Sequence, residues 1–333
     1  MKIKIIKSII TVQIIMSIFA FNCMAFNDLE AGAYLWKLIN EARSRPIEAI
    51  KAYRIDYERA KLALGDDSWI LESSNSLPPL AWNISLEESS TAHSSDMINR
   101  QYYSYTSPEG LSFNDRIIKS GYNPISTGES LGILSFYLYI DPVKAVETIF
   151  ENMLRDELNP EVGYPKNIFS KDFTEIGISF ISTILAFGKD SNGRDIVVNA
   201  YVVTADFARP VELKTYIMGN IYNIGENQPD NLVWQDKYNF ENSYAENLLR
   251  YKQWSPEKAN DRFVMWVNNI TEGTAVQVLN RPLGSYQIEI PLNTFYFMEI
   301  YRKIDDSAVQ GELLKRIINI GLDVNQMADF GIN

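Results

Sequence analysis

The stretch from Met153 to Gly177, MLRDELNPEVGYPKNIFSKDFTEIG, has to leave a helix, make an acidic turn and enter a strand, which narrows the folds open to the chain. Upstream of it Val143, Val146, Ile149, Phe150, Met153 and Leu154 recur at helical spacing, so a helix is predicted from Pro142 to about Leu158. Taking about 100° per residue from Val143, Glu157 falls within roughly 10° of the centre of the apolar face, whereas Glu151 and Asp156 lie about 100° or more away. Glu157 therefore points inward. An inward carboxylate must be neutralised or hydrogen-bonded, because a bare buried charge is very costly.

Other elements follow from the same patterns. Tyr34, Leu35, Leu38, Ile39 and Ala42 predict an amphipathic helix from Ala31 that stops at Pro46. Residues 47–76 are read as an insertion that holds a further possible helix, Ile47 to Leu64, broken by Gly65-Asp66-Asp67. Leu77-Pro78-Pro79-Leu80-Ala81-Trp82-Asn83 leads into a helix from Leu86 to about Arg100 with Leu86, Ser90, His93 and Met97 on one face. His93 is the only histidine, and beside Leu86 and Met97 it reads as a hydrogen-bonded core residue rather than a ligand or base. Tyr102 to Gly110 is a loop by its Ser, Pro and Gly content, and Phe180 to Leu185 and Ile196 to Phe207 read as strands. Beyond Pro210 the period shortens. Leu213 to Tyr222, Phe263 to Val267, Ala275 to Leu279, Tyr286 to Ile290 and Phe295 to Tyr301 are strand candidates, Phe240 to Tyr251 is an ambiguous helix, and Ser307 to Ile320 reads as a terminal helix with Leu313, Leu314, Ile317 and Ile318 on one side.

The amino terminus has a different character. Lys2, Lys4 and Lys7 precede an apolar run from Ile9 to Phe21, too short at about 1.5 Å per residue to span a bilayer core of about 30 Å. It reads as a secretory signal peptide cleaved after Ala25, with lipidation of Cys23 as the rival. Cys23 is the only cysteine, so the mature chain would form no disulfide, which fits a bacterial envelope or secreted protein. Removing the segment takes the formal net charge from -11 to -14, which would repel phosphate backbones and excludes nucleic acid as an expected partner.

From Ala31 to Pro210 the landmarks fall in the order of a known family. Gly163, Asn167, Ile168, Phe173, Ile176 and Gly177 keep step with the bacterial wording G-H-R-x-N-I-L-x-P-x-F-x-x-I-G. Leu38 to Arg43, Pro79 to Asn83, His93, Asp96, Met97, Asp115-Arg116-Ile117, Gly121-Tyr122 and Gly128-Glu129-Ser130-Leu131-Gly132 match further motifs. The chain thus resembles the CAP (SCP-like) domain of cysteine-rich secretory and plant pathogenesis-related proteins. The resemblance implies an α-β-α sandwich at 31–210; with the residue patterns above, the whole reads as an α+β chain with a signal peptide at 1–25, a small β-sandwich-like domain at 211–305 and a C-terminal helix and tail at 306–333. The resemblance also implies a cleft of two histidines and two carboxylates that can hold a divalent ion such as zinc.

At that cleft the chain departs from the family: Tyr105 and Tyr164 stand where the histidines belong, while Glu129 and Glu157 keep the acids. A phenol, with a pKa near 10, is a poor zinc ligand at neutral pH, so no metal and no cofactor are expected. The expectation is a hydrogen-bonded cluster in which Tyr105 and Tyr164 satisfy Glu129 and Glu157, with no catalytic residue assigned. Asp115, Glu129 and Glu157 have no spacing motif for calcium or magnesium. The reading is an exported, non-enzymatic binding module, in the periplasm, cell envelope or outside the cell. Its ligand would be a peptide, glycan or lipid, and it would meet a membrane only through an uncleaved or lipidated amino terminus. The alternative is a metal-dependent or carboxylate-based hydrolase using the remaining acids.

Overall fold

The computed structural model describes residues 27–72, 75–137, 140–163, 165–189, 191–223, 263–269, 274–277, 279–280, 285–290, 296–302, 311–319, 324–327 and 330–332. The expected signal peptide and the ambiguous helix Phe240 to Tyr251 lie outside these residues.

Helix α1 (Asp28–Ser44) starts at a capping box, in which the Asn27 side chain accepts from Glu30 N and the Glu30 carboxylate accepts from Asn27 N. The segment read as one helix from 47 to 64 is two, α2 (Pro46–Ala52) and α3 (Tyr57–Leu64), followed by a 3-10 turn at Gly65–Leu71. Arg54 at φ 51° breaks them, and Asp56 caps the second. Strand β1 (Ala81–Trp82) leads into α4 (Ile84–Arg100), capped by Asn83, and α5 (Phe113–Lys119) is capped by Ser112 and Asp115. Strand β2 (Pro124–Phe136) and helix α6 (Pro142–Glu157) follow. Two long strands, β3 (Glu175–Lys189) and β4 (Asp195–Pro210), then complete a sheet of order β1-β3-β4-β2. It is antiparallel except that β1 runs parallel to β3.

This sheet is the middle of three layers. On one face α4 lies so close that a Cβ at Gly177 would stand 2.0 Å from Glu87 N. On the other, a Cβ at Gly132 would meet Ile149 of α6 at 2.6 Å, and Gly32 of α1 lies over Trp82 and Ile178. The strands therefore bury both faces, and their polar alternates are inside as well as their apolar ones: Thr204 and Asp206 are both 0% exposed. Neither α5 nor β2 was predicted.

The remaining residues are β-rich, as the sequence indicates. Strands β5 (Thr215–Asn223), β6 (Phe263–Asn269), β7 (Thr274–Gln277), β8 (Leu279–Asn280), β9 (Ser285–Ile290), β10 (Tyr296–Arg302), β11 (Glu312–Asn319), β12 (Gln326–Met327) and β13 (Phe330–Ile332) form two sheets. One has the order β11-β10-β6-β7; the other has the order β12-β5-β9-β8, with β13 also on β5. The predicted C-terminal helix is corrected here: Glu312–Asn319 is a strand, antiparallel to β10 with Ile317 opposite Met298 and Lys315 opposite Ile300. Leu313 and Ile317 satisfy both periods in so short a segment, and pairing with β10 decides between them.

The apolar core runs from the three-layer unit into Tyr216 and Met218 of β5 without a break. Gln287 of β9 uses its carboxamide as a strand would use its backbone, accepting from Trp82 N at 2.6 Å and donating to Trp82 O at 2.9 Å. Asn325 donates to Pro79 O at 3.0 Å and to Thr174 O at 2.8 Å.

Candidate functional site

Glu129 lies on β2 and points toward α4 and α5. Its side chain is fully buried, and Oε2 accepts from Arg116 Nη2 at 2.7 Å. The same guanidinium donates to Tyr105 O at 3.1 Å and Leu111 O at 3.0 Å, so one cation ties the 102–112 loop to the sheet. Asp115 next to it belongs to the cap of α5, and Ile117 packs with Leu86, Tyr122 and Ala208. Asn167 donates to Glu129 O at 2.8 Å and Ser130 Oγ at 2.9 Å.

Glu157 is buried, as its helical phase requires, but on the opposite face of the sheet. It closes α6 and accepts from Ile168 N at 2.9 Å and Phe169 N at 2.8 Å. Burial pushes its carboxyl up to about 7, against the opposing pull of the two amides, Lys166 and Arg43. Arg43, fully buried on α1, binds the same segment by donating to Ile168 O at 2.8 Å and Ser170 O at 2.7 Å. The sheet thus separates two acids expected to line one cleft, and they draw on a guanidinium and on backbone amides. Tyr105 comes to the Glu129 side through its carbonyl. Tyr164 lies outside the described residues, and its expected part in the cluster lies there too.

A carboxylate satisfied by phenols does exist, at Glu175. Its Oε2 accepts from Tyr122 OH at 2.6 Å and Asn83 Nδ2 at 3.0 Å, and its Oε1 from Tyr216 OH at 3.1 Å. Burial raises both tyrosines and the acid, so the hydroxyls stay protonated as donors. Sequence reasoning missed Glu175, and it missed Asp206, the cross-strand neighbour of Glu129. The signal was present: Glu175 and Asp206 alternate with apolar residues on their strands. That pattern ordinarily marks a wet face, and here α4 covers it at Asp206 while Tyr122, Asn83 and Tyr216 cover it at Glu175.

His93 is 1% exposed, in keeping with the core reading. Its Nε2 lies 3.0 Å from Ser104 O, which can only accept, so Nε2 carries the hydrogen. Burial, followed by the charge of Arg116, lowers the imidazole to about 4 and leaves it neutral. Nε2 also stands 3.7 Å from Glu129 Oε1.

Above these residues, between α4, α5 and the 102–112 loop, is a groove of about 450 Å³. Ser89 and His93 line it, together with Glu88, Asp96, Arg116 and Lys119. A second, mostly apolar cavity of about 260 Å³ lies under the end of α4, against Met97, Tyr102, Ile133 and Val202. The residues of the groove do not fit the divalent ion of the family cleft. A guanidinium already occupies Glu129, the Nε2 hydrogen of His93 faces a carbonyl, and no group of three or more His, Cys, Asp or Glu is placed to hold a metal among the described residues.

Three layers, a short parallel edge strand and the Gly-Glu-Ser segment at the sheet define a CAP-type domain. The sequence model of the cysteine-rich secretory protein family, CAP, matches residues 36–204, just over half of the chain, and the chain belongs to this family. Among solved structures it is similar to the 1.5 Å crystal structure of an extracellular protein containing a SCP domain from Bacillus anthracis str. Ames, with 22% identity and a TM-score of 0.26. That match covers 40% of this chain and 34% of the other, so the chain spans about a third of that protein's length. No curated protein matches. No helix among the described residues is long and apolar enough to cross a membrane.

Proposed function

We propose that this CAP protein is an exported, non-enzymatic binding module, periplasmic or secreted from a bacterial cell after loss of its signal segment. The groove beside α4 supports this reading most directly. It offers hydroxyl, carboxylate and ammonium groups along one trough, a lining suited to a peptide or glycan with many hydrogen-bonding groups rather than to an acyl chain. Behind it Glu129 is spent on Arg116, and across the sheet Glu157 is spent on backbone amides, so the first task of both is to hold the domain together.

The test is a chemical-shift titration of the full chain with defined peptidoglycan fragments and short peptides. Shifts confined to α4, α5 and the 102–112 loop, abolished by Lys119→Glu without a change in melting temperature, support the proposal. Shifts confined to β6, β7, β10 and β11 would move the binding surface to the β-rich residues, and shifts around Met97 and Ile133 with fatty acids would make the apolar cavity the site. Zinc titration by calorimetry discriminates the hydrolase alternative: a one-to-one isotherm of high affinity, with turnover of any fragment, would replace the binding reading.

A further inference from the structure

Behind the groove two carboxyl groups face one cation. Glu129 and Asp206 are directly opposite on β2 and β4, and both are buried, at 2% and 0% exposure. Arg116 reaches Glu129 Oε2, which leaves Glu129 Oε1, both Asp206 oxygens and Ser89 Oγ without a hydrogen bond of full geometry. The titratable and charged groups that face the pair can be named from each element. Helix α4 contributes the neutral His93, and α5 contributes Arg116. On the remaining side of Asp206, β3 presents Gly177, which brings no side chain. Two negative charges beside one guanidinium in a dry interior cannot both be kept. A proton on Asp206, donated toward Glu129, removes the second charge and partners an oxygen that otherwise has none.

We propose that Glu129 and Asp206 hold one proton between them, and that this acid pair is a pH-sensitive element set behind the wall of the groove. Arg116 transmits its state, since the same guanidinium carries Tyr105 O and Leu111 O of the loop. Loss of the proton sets the two carboxylates against each other, and the repulsion pushes Glu129, on which Arg116 is seated, away from Asp206. Burial, and then the charge of Glu129, raise Asp206 well above the ordinary carboxyl range, in agreement with the geometry. The sign follows from linkage. A carboxyl whose folded value is raised stabilises fully below its unfolded value of about 3.9, and that stability is lost as pH rises toward ionisation of the pair. The proposal is independent of whether the groove takes a ligand.

The experiment compares denaturant unfolding of the full chain and Asp206→Asn across pH. Asparagine keeps the shape and can donate to Glu129, but has no proton to lose. The wild-type unfolding constant should rise relative to that of Asp206→Asn by up to about tenfold per pH unit, until the pair ionises. Other raised carboxyls, Glu157 and Glu175 among them, are common to both chains and cancel. Amides from Ser107 to Leu111 should keep their exchange protection in Asp206→Asn at alkaline pH, where the wild type loses it. Where the variant does not fold, the wild type labelled with carbon-13 at aspartate should show the infrared carbonyl band of a protonated carboxyl at pH 7, shifted by the label. Parallel pH profiles for the two chains, or absence of that band, would overturn the proposal. So would a rise in melting temperature on adding calcium or magnesium, which would place a cation, not a proton, between the acids.

Discussion

At the scale of single residues, the domain is held by a few buried charges with specific partners, Glu129 with Arg116 and Arg43 with the carbonyls of Ile168 and Ser170. Removing Arg116 as Arg116→Ala would leave Glu129 buried beside Asp206 with no cation, and should cost about 3–5 kcal/mol in denaturant unfolding. At Glu157 the expected effect is on pH dependence. Its carboxyl is raised to about 7, so it stabilises fully below the ordinary value of about 4.3, and that stability is lost as pH climbs through 7. Wild-type stability should therefore fall between pH 5 and 7 by up to about 1.4 kcal/mol per unit relative to Glu157→Gln, a slope that paired melts would show. Tyr122→Phe removes one donor from Glu175 and should cost about 1.5–3 kcal/mol. The inward turn of Glu157 was legible in the sequence because helical phase alone fixes it. Its partners were not, since Ile168 and Phe169 contribute their backbones, and a backbone amide leaves no trace in residue type.

At the scale of elements, the closest approach is that of α4 to β3. A Cβ at Gly177 would meet Glu87 N at 2.0 Å and Leu86 C at 2.2 Å, and backbone of a helix cannot move aside as a side-chain tip can. Gly177→Ala should then cost at least about 1–3 kcal/mol and lower the melting temperature, whereas the same change at Gly110, where φ is +87° but no atom lies within 4 Å, acts through backbone strain alone. The long helices were readable from apolar periodicity because each buries one stripe. Strand β2 was not: Pro124 to Phe136 holds two glycines and three serines, and its small residues are there to let α6 and Asn167 approach. The tail was misread for the opposite reason. Leu313, Leu314, Ile317 and Ile318 fit a helical stripe, and pairing with the preceding strand β10, which the segment's own periodicity does not show, makes them a strand.

At the scale of the whole molecule, the three-layer unit and the β-rich residues are joined by shared core and by polar contacts, so they should melt together. Gln287→Ala should cost about 1–3 kcal/mol and lower a single transition instead of splitting it, which calorimetry of the full chain would show. Motif order made the family legible across 31–210, and strand candidates made the later residues legible as β-rich. The joint between them was invisible, because one glutamine among strand residues carries no pattern. That carboxamide has a further consequence. Strand β1 is the outermost strand of its sheet, with its donor and acceptor turned toward whatever neighbour arrives. Occupied by Gln287, that margin offers no template to a second molecule. A chain that lost β9 would present a bare rim, and its characteristic failure would be sticking to copies of itself before it lost its shape.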